Sequence, residues 1–301
     1  MAQESESIAL PARRATVLGR PLWLHSLITF LSYAVLILFA IGFLAPFFFA
    51  IANSFKTAPE IAADPLRLIP KLFTWENYQK LQTQNANVPL WTRNSLIFAV
   101  VITLGRILLD SMAGYALARL SFPGRKLIFL GILATMMIPA IVLLIPKFII
   151  LKQFGLLATY QGAILPMIAD AFGIFLMKQF FESVPTEIEE AARIDGASPF
   201  QIFFQVTLPM ATPALTALTI FSFQGSWNEL LNFLVAIGPS ARDLWPLTLG
   251  LGILRGGGVG QFLDFGLFLA GSLLMTLPMA IIFVIFQRYF VESQNYAGVK
   301  G

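Results

Sequence analysis

The chain has no cysteine, a single histidine, and charged side chains at only 12% of its positions. Without cysteine there is no disulfide and no thiolate nucleophile, and the redox compartment stays open. One histidine, His25 beside Trp23, excludes a histidine-rich metal cluster. It also leaves an intramembrane serine–histidine protease without a base inside its bundle. His25 is read instead as a residue of the membrane interface. No G-x-x-x-x-G-K-[ST] phosphate loop occurs, so nucleotide hydrolysis of that kind belongs to another polypeptide. No basic run interleaved with aromatics appears, which excludes a nucleic-acid groove. There is also no repeat of fixed period and no low-complexity tract.

What is present is apolar. Hydrophobic residues make up 57% of the 301, and the mean hydropathy is +0.77. A soluble domain carries about 25% charged residues, and a soluble fold this apolar would expose large sticky patches. The chain belongs in a bilayer. Six segments, at about 26–52, 94–118, 127–150, 161–182, 207–238 and 265–290, each supply the roughly 20 apolar residues that cross a hydrocarbon core. The predicted fold class is an all-α membrane protein with six transmembrane helices. Residues 1–25 form a polar N-terminal tail, 26–290 the transmembrane domain and 291–301 a C-terminal tail. The first apolar run is too long for a signal-peptide core and is read as a retained span. An even number of spans puts both termini on one side. Lys and Arg divide ten against nine between the two sides, and the short loop holding Arg119, Arg125 and Lys126 favours termini inside.

Pro46, Pro139, Pro146, Pro166, Pro213 and Pro278 fall within spans, where proline either bends a helix or is simply tolerated in a bundle. Gly105, Gly114, Gly131 and Gly271 are placed to let helices approach closely. Arg106 and Asp110, four apart in span two, share a face, as a compensating ion pair or as part of a pathway.

Residues 183–206 interrupt this apolar pattern. The stretch PTEIEEAARIDGASP (185–199) carries four of the chain's sixteen carboxylates. Pro185 suits a first turn, and Thr186 with Glu189 has the spacing of a capping box. Ile188, Ala191, Ala192 and Asp195 recur at helical spacing, and Gly196 stands where a left-handed residue ends a helix. Ser198 and Gln201 have the spacing of a second capping box, opening a helix that carries Phe200, Phe203 and Phe204. The pattern specifies helix, sharp turn, helix. By composition it is a solvated connector; its alanine face also suits close approach to another protein.

The residues Glu190-Ala191-Ala192, then Gly196 after three, Val206 after nine more, and Leu208-Pro209 resemble the EAA motif of ABC importer permeases, with valine in place of the motif's isoleucine. The resemblance extends to Tyr115–Arg119, Phe122–Arg125, Phe172–Phe175, Gln179–Phe181, Asp195–Ser198, Trp227-Asn228, Gln287–Val291 and Val299–Gly301, and is strongest to the carbohydrate-type subfamily of the maltose-transporter permeases. Segment 292–298 departs from that subfamily's tail. The resemblance implies that residues 183–206 are a cytoplasmic coupling loop whose helix docks in a cleft of an ATPase. Glu189, Glu190, Ala191, Ala192, Asp195, Gly196, Leu208 and Pro209 would then be its coupling residues. It further implies a second permease, of different sequence or a copy of this chain, two ATPase subunits holding ATP and Mg, and an extracytoplasmic sugar-binding protein as partners. The chain itself would bind no cofactor and catalyse nothing, and would lie in the cell membrane with cytoplasmic termini.

Span five gathers Gln224, Ser226, Trp227, Asn228, Glu229 and Asn232 within nine residues. An aromatic face beside amides suits sugar hydroxyls, so Gln224, Trp227, Asn228, Glu229 and Asn232 are candidate lining of a translocation path. Hydrogen bonding between helices is the competing use. The outer segments 53–93 and 239–264, with Trp75, Trp91 and Trp245, are expected to cap the bundle toward a binding protein, or to anchor at the interface. Importers of another small solute, and ion-coupled transporters, are the alternatives. The latter usually show inverted repeats and ion-binding carboxylates at broken helices.

Overall fold

The computed structural model describes residues 22–83, 87–256 and 264–297. The side chain of His25, the terminal Val299–Gly301 match and the tail side chains from 287 onward lie outside what is described. Among the described residues there are helices and turns and no strand. In chain order they are α1 (Leu22–Ser54), α2 (Ala58–Ala63), α3 (Glu76–Thr83), α4 (Val88–Arg119), α5 (Arg125–Met136), α6 (Leu144–Gln153), α7 (Tyr160–Ile164), α8 (Ala171–Ser183), α9 (Thr186–Ile194) and α10 (Pro199–Gln201). They continue with α11 (Leu208–Met210), α12 (Thr212–Trp227), α13 (Leu231–Ala236), α14 (Leu247–Gly256) and α15 (Phe265–Ala297).

Among the described residues three unbroken helices are long and apolar enough to cross a membrane: Ser26–Ser54, Val88–Arg119 and Phe265–Phe286. Three bent pairs bring the number to six by length and composition. Arg125–Met136 meets Ala140–Gln153 at 98°, Tyr160–Met167 meets Ala171–Ser183 at 41°, and Pro199–Met210 meets Thr212–Trp227 at 81°. The sequence reading drew the first two as single spans, at 127–150 and 161–182, and divided the third between the loop 183–206 and a span at 207–238. Proline explains part of the difference. Pro139 begins the turn at the first bend, Pro166 lies in the short 3-10 turn before the second, and Pro209 and Pro213 flank Ala211 at the third. Pro209 has no N–H to close its α-helical bond, and residues 202–207 widen into a π-turn in which Leu208 N–H reaches Phe203 C=O. Pro46 and Pro278, by contrast, sit inside unbroken α1 and α15.

Helix α4 is the central strut, packed chiefly on α8 and α12. Gly114 makes the α4–α8 seam possible, because a Cβ there would stand 2.8 Å from both Lys178 N and Met177 Cβ. Gly105 and Gly271 likewise face close neighbours, whereas Gly131 has nothing within 4 Å and its expected packing role is absent. Two apolar cores form at opposite ends of α4. One gathers Trp91, Phe98, Ile102, Phe233 and Trp245; the other gathers Tyr115, Met177, Phe181, Phe203 and Leu218. Helix α1 packs on α15 and otherwise presents an exposed apolar surface, as a lipid-facing helix must. Beyond α1, the buried Lys56 ammonium donates to Asn53 Oδ1 (2.8 Å) and the Asp64 carbonyl (3.0 Å), and this folds the first long loop back on itself.

Candidate functional site

The short helix α9 is specified locally and fixed at long range. Its C-terminus is a Schellman turn: Gly196 takes φ +85°, its N–H reaches Arg193 C=O (3.1 Å), and Ala197 N–H reaches Ala192 C=O (3.0 Å). The Ser198–Gln201 capping box forms in both directions. The expected Thr186–Glu189 box does not form; Pro185 occupies the N-cap with no side-chain bond. Glu189 turns inward instead. Its Oε1 lies 2.9 Å from Arg119 Nε, an ionic contact rather than an aligned hydrogen bond, and its Oε2 accepts from Tyr115 Oη at 3.3 Å. Arg119 also donates to the Val184 carbonyl. Tyr115 and Arg119 are one turn apart on α4, so one face of the strut grips the root of α9. The Tyr115 ring packs edge-on against Phe181 and obliquely on Phe203, which carries the grip into the second core.

The remaining loop residues face outward. Glu190, Ala191, Arg193, Asp195 and Gly196 are exposed, Ala192 is half-buried, and Ile194 is 87% exposed. Phe200 beside them is 67% exposed. Leu208 packs on the second core, and Pro209 is exposed at the π-turn. Glu189 therefore belongs to the root of the loop and Glu190 to its outer face. Sequence reasoning passed over Ile194 and named Phe200 only as part of the following helix; the signal of both was an apolar residue stranded in a polar turn. It also passed over Tyr115 and Arg119 as the loop's anchor.

The expected Arg106–Asp110 ion pair is replaced by something more specific. Arg106 Nε donates to the Met167 carbonyl (2.8 Å), and Asp110 Oδ1 accepts from Asp170 N–H (3.0 Å). Met167 C=O and Asp170 N–H are backbone groups freed where α7 with its 3-10 turn breaks before α8. Arg106 and Asp110 of α4 together satisfy the broken ladder, as an apolar surrounding demands. Asp110 also sits at the positive end of α8.

At the far end of α12 the polar cluster separates. Trp227 is buried, stacks on Phe223 at 5.8 Å, and donates from Nε1 to Met275 C=O at 3.1 Å. Its indole face is spent on the protein. Glu229 closes a turn by accepting from Asn232 N–H (3.0 Å), and Asn232 Oδ1 accepts from Lys147 Nζ of α6. Gln224 and Asn228, one turn apart, remain exposed together.

Residues 110–296 match the family model described as the binding-protein-dependent transport system inner membrane component. The chain is 38% identical to the diacetylchitobiose uptake system permease protein NgcG of Streptomyces coelicolor, over 87% of this chain and 86% of that one. It is 35% identical to the arabinooligosaccharides transport system permease protein AraQ of Halalkalibacterium halodurans, over 90% and 97%. To the sn-glycerol-3-phosphate transport system permease protein UgpE of Pectobacterium atrosepticum it is 31% identical, over 87% and 94%. Its fold matches a chain in the crystal structure of a bacterial ABC transporter involved in the import of the acidic polysaccharide alginate, with TM-score 0.77 and 23% identity over 88% of this chain and 97% of that one. The bent spans, the α9 loop and these relatives agree: the chain belongs to the family of binding-protein-dependent transport system inner membrane components.

Proposed function

We propose that this chain is one permease subunit of an ATP-driven importer for a sugar or oligosaccharide, and that α9 is the helix through which a separate ATPase subunit moves it. The observation that carries the proposal is the division of α9 into an anchored root and an offered tip. Glu189 is fixed to Arg119 and Tyr115, while Glu190, Ala191, Ile194 and Phe200 are left to solvent. A charged helix that exposes a large aliphatic side chain at its end is suited to seat in a partner's cleft. Nine residues are too few for a helix to persist alone, so a load on its tip passes to what holds its root. On this reading α9, both termini and residues 119–125 face the cytoplasm. ATP and Mg are held by two ATPase chains, and a second permease of different sequence completes the path.

The sugar assignment draws on the diacetylchitobiose and arabinooligosaccharide systems named for the relatives. The relative named for glycerol 3-phosphate favours a second reading, a smaller polyol-type solute. Ile194→Asp tests the central claim. The ATPase subunit should be lost from the detergent-purified complex, with normal membrane insertion of the permease. Full retention of the ATPase together with normal uptake would refute it.

A further inference from the structure

One charged side chain keeps most of its hydrogen-bonding capacity after its structural contact is made. Arg106 lies about 27 Å along α4 from Val88 and about 20 Å from Arg119, at 1.5 Å per residue. That is deep within the span. A guanidinium in hydrocarbon is costly, and such groups face a bundle interior or a water-filled cavity. Arg106 is half-buried, and only its Nε is engaged, on Met167 C=O at 2.8 Å. Asp110, one turn away, has turned to Asp170 N–H. Neither Nη atom makes a hydrogen bond or ion pair to any described residue, which leaves four of the five guanidinium N–H donors free.

One end of that fork lies against a glycine. A Cβ built on Gly225 of α12 would stand 3.9 Å from Arg106 Nη1 and have no other neighbour within 4 Å. Gly225 is exposed, as are Gln224 before it and Asn228 one turn on, so the guanidinium lies against α12 at the position where its exposed polar residues stand.

We propose that Arg106 is a specificity-determining residue of the translocation path, its fork taking the anionic group of an acidic sugar. A planar guanidinium binds carboxylate and phosphate through paired N–H donors. This rests on the reading of Gln224 and Asn228 as path-lining.

The chain's lack of cysteine permits a direct test in the assembled transporter in nanodiscs. A thiol is placed by Gly225→Cys, where there is room for it. Its labelling rates are compared for an anionic reagent, sulfonatoethyl methanethiosulfonate, and a cationic one, trimethylammonioethyl methanethiosulfonate. Arg106 should favour the anion, and Arg106→Gln should lower the anion-to-cation rate ratio by at least about fivefold, the Coulomb effect of a unit charge near 4 Å even in water. Arg106→Lys should keep the preference. An unchanged ratio in Arg106→Gln, while Gln224→Cys and Asn228→Cys still label, overturns the proposal and leaves the path reading standing. If none of the three thiols labels, the path reading falls with it. A second measurement needs no variant at Arg106. Raising salt from about 0.01 M to 1 M shortens the screening length from about 30 Å to 3 Å and should erase the anion preference, so a salt-insensitive ratio also overturns the proposal.

Discussion

Removal of the Glu189 carboxylate should detach α9 from the membrane domain without unfolding either. In Glu189→Ala, Arg119 keeps the Val184 carbonyl and loses its ionic partner, and the Tyr115 hydroxyl loses its acceptor. The side chains of Arg119 and Glu189 are 9% and 7% exposed, so bulk water replaces little of what is lost. Breaking a buried pair from one side costs about 3–5 kcal/mol. The carbonyl that Arg119 retains argues for the lower end, about 3 kcal/mol, or a factor of about a hundred in local opening. Hydrogen exchange of amides 186–195 in the assembled transporter reads that opening directly. Exchange in Glu189→Ala should accelerate by about two orders of magnitude, whereas exposed Glu190→Ala should change it little. The double variant Glu189→Leu with Arg119→Met, which removes both charges, should recover much of the protection. Unchanged exchange in Glu189→Ala would refute the reasoning, as would strict additivity in the double variant.

Three further outcomes follow from single contacts. Gly196→Val should uncouple ATP hydrolysis from uptake, since a β-branched residue at φ +85° costs about 1–2 kcal/mol, while Gly196→Asn should remain close to wild type; coupled ATPase and uptake assays check both. Gly114→Val should prevent stable assembly, because its Cβ falls 2.8 Å from Lys178 N; overpacking of this kind costs about 1–3 kcal/mol and is read as loss of monodisperse protein in detergent. Trp227→Ala should destabilise the chain by about 3–5 kcal/mol in thermal unfolding, whereas Asn228→Ala should leave stability unchanged and lower uptake.

The all-helical membrane fold was legible because the bilayer imposes it. Long apolar runs with few charges admit almost no other structure. The breaks were not legible, since the same residue type has opposite outcomes. Pro46 and Pro278 are absorbed into unbroken helices, while Pro139, Pro166 and Pro209 stand at bends. What differs is the surrounding. At the second break, the carbonyl of Met167 and the N–H of Asp170 find Arg106 and Asp110, partners about 60 residues earlier in the chain. Local pattern therefore located the charged pair, and of its two readings the mutual ion pair gives way to contacts with a distant backbone. The same holds at α9. Gly196 and the Ser198–Gln201 box follow local rules, and the sequence announces them. The Thr186–Glu189 box obeyed the same rules and lost to Arg119, a contact 70 positions away that no short-range periodicity encodes. For Trp227 the sequence left two uses open, and the one realised, hydrogen bonding between helices, depends on Met275 of a different helix.

These long-range contacts converge on α4. Tyr115 and Arg119 hold the root of α9, Gly114 seats α8, and Arg106 with Asp110 holds the break that begins α8. From residue 106 to 119 is about 20 Å along a helix that contains no break. A displacement imposed on α9 therefore has two routes into the bundle. One runs through the carboxylate of Glu189 into the straight strut. The other runs through the 81° bend at Ala211 into α12, whose polar end lies beside Arg106. A stiff route and a bent one, loaded at the same helix, must move relative to each other at their far ends. Short of those ends the two routes come together at Arg106 and Gly225, beside the exposed Gln224 and Asn228 of α12, so relative motion of α4 and α12 would be felt at the candidate path.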